Sequence, residues 1–145
     1  MNAIEFRLRT EALGVGEVVT VTPYVDGVSL VERARRVEAR QAGKERDLAG
    51  SYAGLVVGRA RWQDWYSGVR PQVWFGDGDS CLLGCGCGDT GCWPLTARVT
   101  VGAKTVVWAG FRTGHREWDL AALGPFTFAR GAYEAALAAP TSAAG

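Results

Sequence analysis

The sequence predicts an α+β fold: a single domain in which hairpins build an antiparallel sheet, with two or three helices packed against it. Three observations predict this class. Residues 4–8 alternate between apolar and polar side chains, a helix-start signal stands at residue 29, and a hairpin pattern centred on a glycine spans residues 95–111. A chain of 145 residues is also long enough to close one hydrophobic core. We therefore expect one domain over residues 1–140 and a disordered tail over residues 141–145.

The first two strands are predicted from their side-chain patterns. The alternation over residues 4–8 is typical of a strand with one buried face. After a turn that contains glycine, residues 18–22 are rich in β-branched side chains and form an antiparallel hairpin with the first strand, continuing to Val25. The dipeptide Asp26-Gly27 predicts the turn that ends this hairpin.

A helix is predicted to begin after Ser29. This serine stands three residues before Glu32, the spacing of a capping box, in which the serine oxygen accepts a hydrogen bond from the third helical amide. The apolar positions that would face the core are spaced i, i+4 and i+7, at Leu30, Ala34 and Val37. The charged residues between them, Glu38 included, are assigned to the water-facing side. Gly43 is the predicted stop.

The hairpin over residues 95–111 is predicted in detail. Within residues 101–104, Gly102 would occupy the positive-φ position of a type II′ turn with a two-residue loop. The pairs that this turn implies are Val99 with Val106 and Ala97 with Trp108 on the more apolar face, and Thr100 with Thr105 and Arg98 with Val107 on the other face. We expect the apolar face to pack on the core.

The remaining elements are predicted from short patterns. Residues 44–51 are polar and predict a loop, whereas residues 52–57 fit either a strand or a short buried helix. Residues 125–128 predict a short extended strand. Residues 131–137 have the propensity of an α-helix, which Pro140 would end.

Charge and hydropathy narrow the classes of partner. Sixteen basic and fifteen acidic residues give a net charge of +1, so there is no basic excess to attract phosphate backbones, and no nucleic-acid partner is expected. Charged residues interrupt the N-terminal segment where an export signal needs an apolar run, and no stretch approaches the roughly 20 apolar residues of a membrane span. We expect a cytoplasmic protein without a membrane partner.

All four cysteines lie in one glycine-rich stretch. They follow the spacing C-x3-C-x-C-x4-C, at Cys81, Cys85, Cys87 and Cys92. Such a cluster differs from the spread-out disulfide framework of small secreted domains. The intervening glycines permit tight turns that direct several sulfur atoms to one centre, as a tetrahedral zinc site requires. Zn²⁺ is therefore the predicted cofactor.

The sequence leaves two ligand sets open. All four cysteines bind the ion, or Cys81 is a core residue and Cys85, Cys87 and Cys92 need a fourth partner. His115 is the sole histidine and follows the hairpin that begins at the cysteine stretch. A hairpin that returns His115 to the cysteines would complete a Cys3His site.

Two other interpretations of the cysteines also stay open. Cys85 and Cys87 are separated by a single glycine, and two thiols so close in the sequence would suit thiol–disulfide exchange. The nearest charge is the carboxylate of Asp89, however, which disfavours a reactive thiolate. The third interpretation is packing alone, because a free cysteine packs like a small hydrophobic residue.

Three segments of the C-terminal half resemble a group of small uncharacterised bacterial proteins. They are the C-x-C-G-x3-C run within residues 85–93, the strand end over residues 106–111, and residues 123–128 together with Tyr133. The resemblance covers residues 81–137. It implies that the cysteine stretch and the hairpin form one unit, and it implies no activity or substrate.

No catalytic constellation is evident, because no recognised motif ties a serine or cysteine nucleophile to His115. The predicted function is a non-enzymatic binding domain whose cysteine stretch, with zinc, shapes a surface for a protein or a small molecule. One alternative is a thiol–disulfide oxidoreductase that uses Cys85 and Cys87. A purely structural interaction protein, such as an immunity or accessory factor, is a further alternative.

Overall fold

The fold is mixed α and β and dominated by sheets, as a computed structural model shows for residues 1–14, 16–58, 61–69, 79–86, 94–114 and 117–142. In chain order the strands are β1 (Ile4–Leu13), β2 (Gly16–Val25), β3 (Val28–Ser29), β4 (Tyr52–Ala53), β5 (Leu55–Val56), β6 (Ser80–Cys85), β7 (Leu95–Val101), β8 (Thr105–Thr113), β9 (Phe126–Ala129) and β10 (Thr141–Ser142). The helices are α1 (Leu30–Ala39), a 3-10 helix (Gly43–Leu48), α2 (Gln63–Tyr66) and α3 (Arg130–Ala138). The α+β class agrees with the prediction, but the strands form two mostly antiparallel sheets where a single antiparallel sheet was predicted.

The first sheet is built on the predicted N-terminal hairpin. β1 and β2 pair antiparallel along their whole length, starting with Ile4 opposite Val25. β3 and β5 each pair antiparallel with β2. The predicted turn at Asp26-Gly27 is present, with φ values of 51° and 80°, a backbone region that aspartate tolerates and glycine favours.

The end of the chain pairs with the first strand, where the sequence predicted a disordered tail from residue 141. Thr141 and Ser142 lie parallel to Arg7 and Leu8 of β1, and Thr141 Oγ1 donates to Glu5 Oε1 at 3.0 Å. Two exposed residues carry no periodicity, and their partner lies at the opposite end of the chain, so no local pattern reveals this pairing. Residues 143–145 lie outside the described part.

The second sheet has the strand order β4-β6-β7-β8-β9, and all of its neighbouring strands are antiparallel. β9 lies within two residues of the strand predicted over residues 125–128, and α3 follows it directly, close to the predicted helix. The isolated bridge between Asn2 and Phe128 connects the start of the chain to β9.

The β7–β8 hairpin is present, but the predicted register is wrong by two residues. Val99 pairs with Trp108 and not with Val106. Gly102 lies outside the positive-φ region that a type II′ turn needs, and its amide donates to the Thr105 carbonyl at 2.8 Å across a longer loop. Because a shift of two residues keeps each side chain on its face, Val106 and Trp108 are still buried, as predicted.

The capping signal before α1 is confirmed. Ser29 has an extended backbone, and its Oγ accepts from the Glu32 amide at 3.1 Å. The Glu32 carboxylate binds Arg35 and Arg36 one turn further along the exposed side of the helix. The first turn therefore has both a cap and an ion-pair network, each of which favours the helix.

One charged residue of α1 that was assigned to water is buried. Glu38 has an exposed fraction of 0 % and lies on the core side with Leu30 and Ala34. The assignment was wrong because it followed the charge of the residue, whereas the position of Glu38, four residues after Ala34, places it on the apolar face. The helix ends at Ala39, and Gly43 begins the 3-10 helix where a loop was predicted.

Residues 52–57 form two short strands that belong to different sheets. β4 pairs with β6 through Tyr52 opposite Cys85, and β5 pairs with β2 through Leu55 opposite Val21. Gly54 between them lies so close to β2 that a Cβ atom would stand 2.5 Å from the Val21 carbonyl oxygen. Only glycine fits this close approach, and the segment ties the two sheets together.

An aromatic centre joins the sheets to the helices within the hydrophobic core. Phe6 of β1 packs against Tyr66 of α2 and Tyr133 of α3, with ring centroids 4.9 and 5.9 Å apart. Trp108 of β8 donates from Nε1 to the Tyr133 hydroxyl at 3.0 Å, and that hydroxyl donates to the Tyr66 carbonyl. Packing and hydrogen bonding therefore fix the same elements.

No helix within the described ranges has both the length and the apolar composition to cross a bilayer. The longest of them, α1, has ten residues and extends over about 15 Å, roughly half the thickness of the hydrocarbon core.

Candidate functional site

The end of β6, the start of β7 and the end of β8 meet at one end of the second sheet. Leu83 of β6 lies opposite Leu95 of β7, which in turn lies opposite Thr113 of β8. Beyond this row, the Gly114 amide donates to the Pro94 carbonyl at 2.7 Å. We call this region the sheet end.

Three of the predicted ligands lie outside the described residues but are attached to the sheet end. They are Cys87, Cys92 and His115. Cys87 follows Gly86 directly and His115 follows Gly114, and consecutive Cα atoms of a trans peptide are about 3.8 Å apart. The structure describes only these flanks, so the return of His115 toward the cysteines and the ligand positions stay a prediction.

Cys81 belongs to the hydrophobic core. Its side chain is 0 % exposed, and its Sγ donates to the Leu83 carbonyl at 3.1 Å. Burial raises the pKa of this thiol to about 12, so the thiol keeps its proton at neutral pH.

The distance along β6 separates the two cysteines of this strand. Cys81 and Cys85 are four residues apart, which is about 13 Å between Cα atoms of an extended strand. Two sulfur ligands of one zinc ion lie at most about 4.6 Å apart, since each Zn–S bond is about 2.3 Å. Cys81 is therefore a core residue, as one of the two predicted ligand sets assumed, whereas the role of His115 stays a prediction.

Cys85 is the last residue of β6 and is half-buried. It lies directly opposite Tyr52 of β4, and directly opposed residues of an antiparallel pair share one face of the sheet. Leu83, two residues earlier, occupies the same face and is fully buried. The Cys85 thiol therefore lies on the same face of β6 as Leu83, beside Tyr52, at a strand both of whose faces are buried.

A buried carboxyl group closes the sheet end from the side of α1. Glu38 accepts a hydrogen bond from the Gly50 amide at 2.9 Å and another from the Tyr52 hydroxyl. The Tyr52 hydroxyl also bonds Thr113 Oγ1. Because a phenol carries one proton, Thr113 donates to Tyr52 when Tyr52 donates to Glu38. We call Glu38, Gly50, Tyr52 and Thr113 the Glu38 cluster.

Burial raises the pKa of Glu38, and the hydrogen bonds that it accepts from the Gly50 amide and the Tyr52 hydroxyl only partly oppose this increase. The carboxyl group therefore takes up a proton at a higher pH than an exposed glutamate does. Gly50 has a φ of 71°, and a Cβ atom there would lie 2.5 Å from the Cβ of Arg35. The backbone conformation in which the residue-50 amide donates to Glu38 therefore requires glycine at this position.

The stability that Glu38 contributes is expected to fall as the pH rises. The unfolded chain loses the Glu38 proton near pH 4.3, at about the ordinary pKa of a glutamate, whereas the raised pKa in the folded protein retains it to a higher pH. Between these two pKa values the folded state binds more protons than the unfolded state, so the free energy of unfolding decreases with increasing pH. The contribution is complete below about pH 4.

Denaturation of the wild type and of Glu38→Gln from pH 4 to pH 8 measures this effect. The variant has no proton to lose at this position, so it removes the titration and keeps the side-chain shape. The wild type should lose about 1.4 kcal/mol relative to the variant for each unit by which the two pKa values differ. A difference between the two proteins that is constant over this range would contradict the prediction.

Sequence reasoning missed the Glu38 cluster, although one of its members carried a signal. Glu38 stands four residues after Ala34 and eight after Leu30, which is the spacing of a buried helix face. Tyr52 and Thr113 carried none, because they are 61 residues apart and only the fold brings their hydroxyl groups together.

Among the residues that the structure describes, no group of three His, Cys, Asp or Glu side chains is arranged to hold a metal ion. The predicted Cys3His set has only Cys85 inside this part, so the zinc site stays a prediction. No protein-family model matches the chain, and comparisons with curated proteins and with solved structures found no significant match. Any function of the sheet end therefore has to be inferred from the residues of this chain alone.

Proposed function

We propose that this protein is a non-enzymatic binding domain in which a zinc ion fixes the cysteine stretch as a recognition surface. The proposed ligands are Cys85, Cys87, Cys92 and His115. The observation that supports this best is the hydrogen bond between Gly114 and Pro94, because it places the chain that leads to His115 beside the chain that leads to the cysteines.

The flanks of the proposed site span a small region. Cys85 ends β6, Pro94 precedes β7 and Gly114 follows β8, and these strands are neighbours in the order given. Adjacent strands are about 4.8 Å apart, so two strand spacings cover about 10 Å. Thiolate and imidazole groups are the ligands that structural zinc sites use most.

Zinc would also supply the energy that orders the cysteine stretch. Residues 87–93 connect neighbouring strands and include two glycines, Gly88 and Gly91. Fixing one residue of backbone costs about 1–2 kcal/mol. Metal binding by such a stretch contributes folding free energy directly, which is why small zinc modules depend on their ion.

The Glu38 cluster supports a structural role for this end of the molecule. Glu38, Thr113 and Tyr52 are buried, with exposed fractions of 0, 2 and 8 %, and they bond to one another. A catalytic acid or base has to reach its substrate within hydrogen-bond distance. Because the Glu38 cluster is buried, we infer that its hydrogen bonds hold α1 against the sheet end. We assign recognition to the cysteine stretch.

Protein purified without chelators is expected to contain about one zinc ion per chain by elemental analysis, as a single four-ligand site implies. Cys85→Ser should lose the zinc. Cys81→Ala is the matched control: it removes a thiol from the same strand, but that thiol lies in the core, so this variant should retain the zinc.

Chelation of the bound zinc should shift amide resonances at the sheet end and leave those of the β1–β2 hairpin unchanged in ¹H–¹⁵N spectra. Protein that lacks zinc and has freely titratable thiols would contradict the proposal. Zinc loss in Cys81→Ala but not in Cys85→Ser would overturn the proposed ligand set.

The oxidoreductase alternative leads to a different result. Mild oxidation would then produce an intramolecular disulfide between Cys85 and Cys87 or Cys92, which mass spectrometry of proteolytic fragments detects. The zinc proposal instead predicts that the bound ion protects these thiols from oxidation.

A further inference from the structure

We propose that this protein has a second site: a groove beside α1 that binds a small organic anion, namely a carboxylate or phosphate group joined to a compact apolar portion. The groove lies between α1 and the loop that precedes β9. Its lining residues are Arg33, Arg36, Val37, Arg40, Ala122 and Leu123.

Three arginines share the side of α1 that faces the groove. Arg33, Arg36 and Arg40 are spaced i, i+3 and i+7, so at 100° per residue their side chains project within an arc of about 60°. Among the described residues, the lining contains no acidic side chain. Asp26 and Glu32, which pair with Arg33 and Arg36, lie outside the lining, so the positive charge that remains without a carboxylate partner in the described part is that of Arg40.

The opposite wall is held in place by a side-chain clamp. Gln41, just after α1, accepts a hydrogen bond from the Asp119 amide through Oε1 at 2.8 Å and donates one to the Asp119 carbonyl through Nε2. The Ala121 amide donates to Asp119 Oδ1, and the Leu123 amide to the Leu120 carbonyl. These bonds fix the loop against the helix, so the groove does not have to form when a ligand arrives.

The arginines differ in how far they are already engaged. Arg33 donates from Nε and Nη2 to the Val25 carbonyl at 3.1 and 2.8 Å, and its Nη2 lies 4.0 Å from Asp26 Oδ2, so its charge is partly neutralised. Arg36 shares the Glu32 carboxylate with Arg35. Arg40 has no carboxylate within 4.0 Å in the part of the chain that the structure describes. Its guanidinium group is the most available for a ligand.

The chemistry of the two walls defines the ligand class. Guanidinium groups bind carboxylate and phosphate oxygens in a bidentate manner. Val37 and Ala122 offer an apolar surface next to these charges, with Leu123 packed behind them at an exposed fraction of 5 %, and a bare inorganic ion cannot use this surface. An anion with a small apolar portion satisfies both walls. This site is separate from the proposed zinc centre and does not depend on it.

Titration of the full chain with phenyl phosphate tests the proposal, with ¹H–¹⁵N spectra that include the arginine Nε–Hε signals. We expect saturable shifts at Arg36, Arg40 and Leu123 that weaken as salt is added. Arg40→Gln should raise the Kd on the order of fivefold, as expected for the loss of one partly exposed charged contact. Val37→Ala, which trims a half-buried residue of the lining and keeps a good helix former, should weaken phenyl phosphate binding and leave the response to inorganic phosphate unchanged.

Arg9→Gln is the matched control, because it removes the same charge from β1, where Arg9 is half-exposed and lies 3.7 Å from Glu11. It should leave the Kd unchanged. Shifts that do not saturate, or an equal loss of binding in Arg9→Gln, would overturn the proposal in favour of general charge attraction. Each variant is compared with the wild type only after its melting temperature shows that it is folded.

Discussion

Trp108→Ala is expected to lower the free energy of unfolding by about 4 kcal/mol, the largest effect that we predict for a single substitution. Trp108 is fully buried, and its ring lies 5.0 Å from that of Phe128 and 6.0 Å from that of Tyr133. Removing the indole leaves a cavity between β8 and α3 that neighbouring strands cannot fill by collapse. It also removes the donor to the Tyr133 hydroxyl.

Chemical denaturation followed by circular dichroism measures this loss. Tyr133→Phe is the matched comparison, because it keeps the ring and removes only the hydroxyl that links Trp108 to the Tyr66 carbonyl. It should cost about 2 kcal/mol, the penalty for leaving a buried donor without a partner. If both substitutions cost the same, the packing of the indole would contribute nothing beyond its hydrogen bond, which would contradict the role assigned to it.

Glu38→Ala is expected to lower the free energy of unfolding by about 3 kcal/mol. The substitution leaves the Gly50 amide and the Tyr52 hydroxyl without their acceptor inside the protein, and each such group costs about 1–3 kcal/mol. It also opens a cavity between α1 and the sheet end. Part of the loss is offset because the desolvation of the carboxyl group disappears as well.

Glu134→Ala is the control for this prediction. Glu134 pairs with Arg130 at 2.8 Å on the exposed side of α3, where an ion pair contributes at most about 0.5 kcal/mol. Denaturation of both variants at the same pH compares a buried with an exposed carboxylate on a helix. Equal losses in the two variants would show that the Glu38 cluster does not stabilise the fold.

The strands and helices that could be predicted from the sequence are those whose side-chain pattern acts on the backbone within a few residues. Ser29 caps α1 because its hydroxyl lies next to free helical amides, and residues 4–8 form a strand because their alternation matches the pleat. The β7–β8 hairpin was predicted, but its register was not. Gly102 fits several loop lengths, and the two-residue difference between them leaves the buried face unchanged.

For the candidate site, the sequence supplies a hypothesis that stays a prediction: the cysteine spacing and His115 bring donor atoms that suit zinc. The structure adds only the placement of the flanks, since the β6-β7-β8 arrangement brings Pro94 beside Gly114. The burial of Cys81 and Glu38 likewise depends on what packs against β6 and α1.

By itself, the sequence determined the class of fold, the first hairpin and the start of α1, because each depends on residues within a few positions of one another. The tertiary structure alone decided which sheet β4 and β5 join, the pairing of β10 with β1, the Glu38–Tyr52–Thr113 contacts and the arginine groove beside Leu123. These features join segments that lie far apart in the chain. Contacts of that kind form only once the core has brought the segments together, so no local pattern of side chains encodes them.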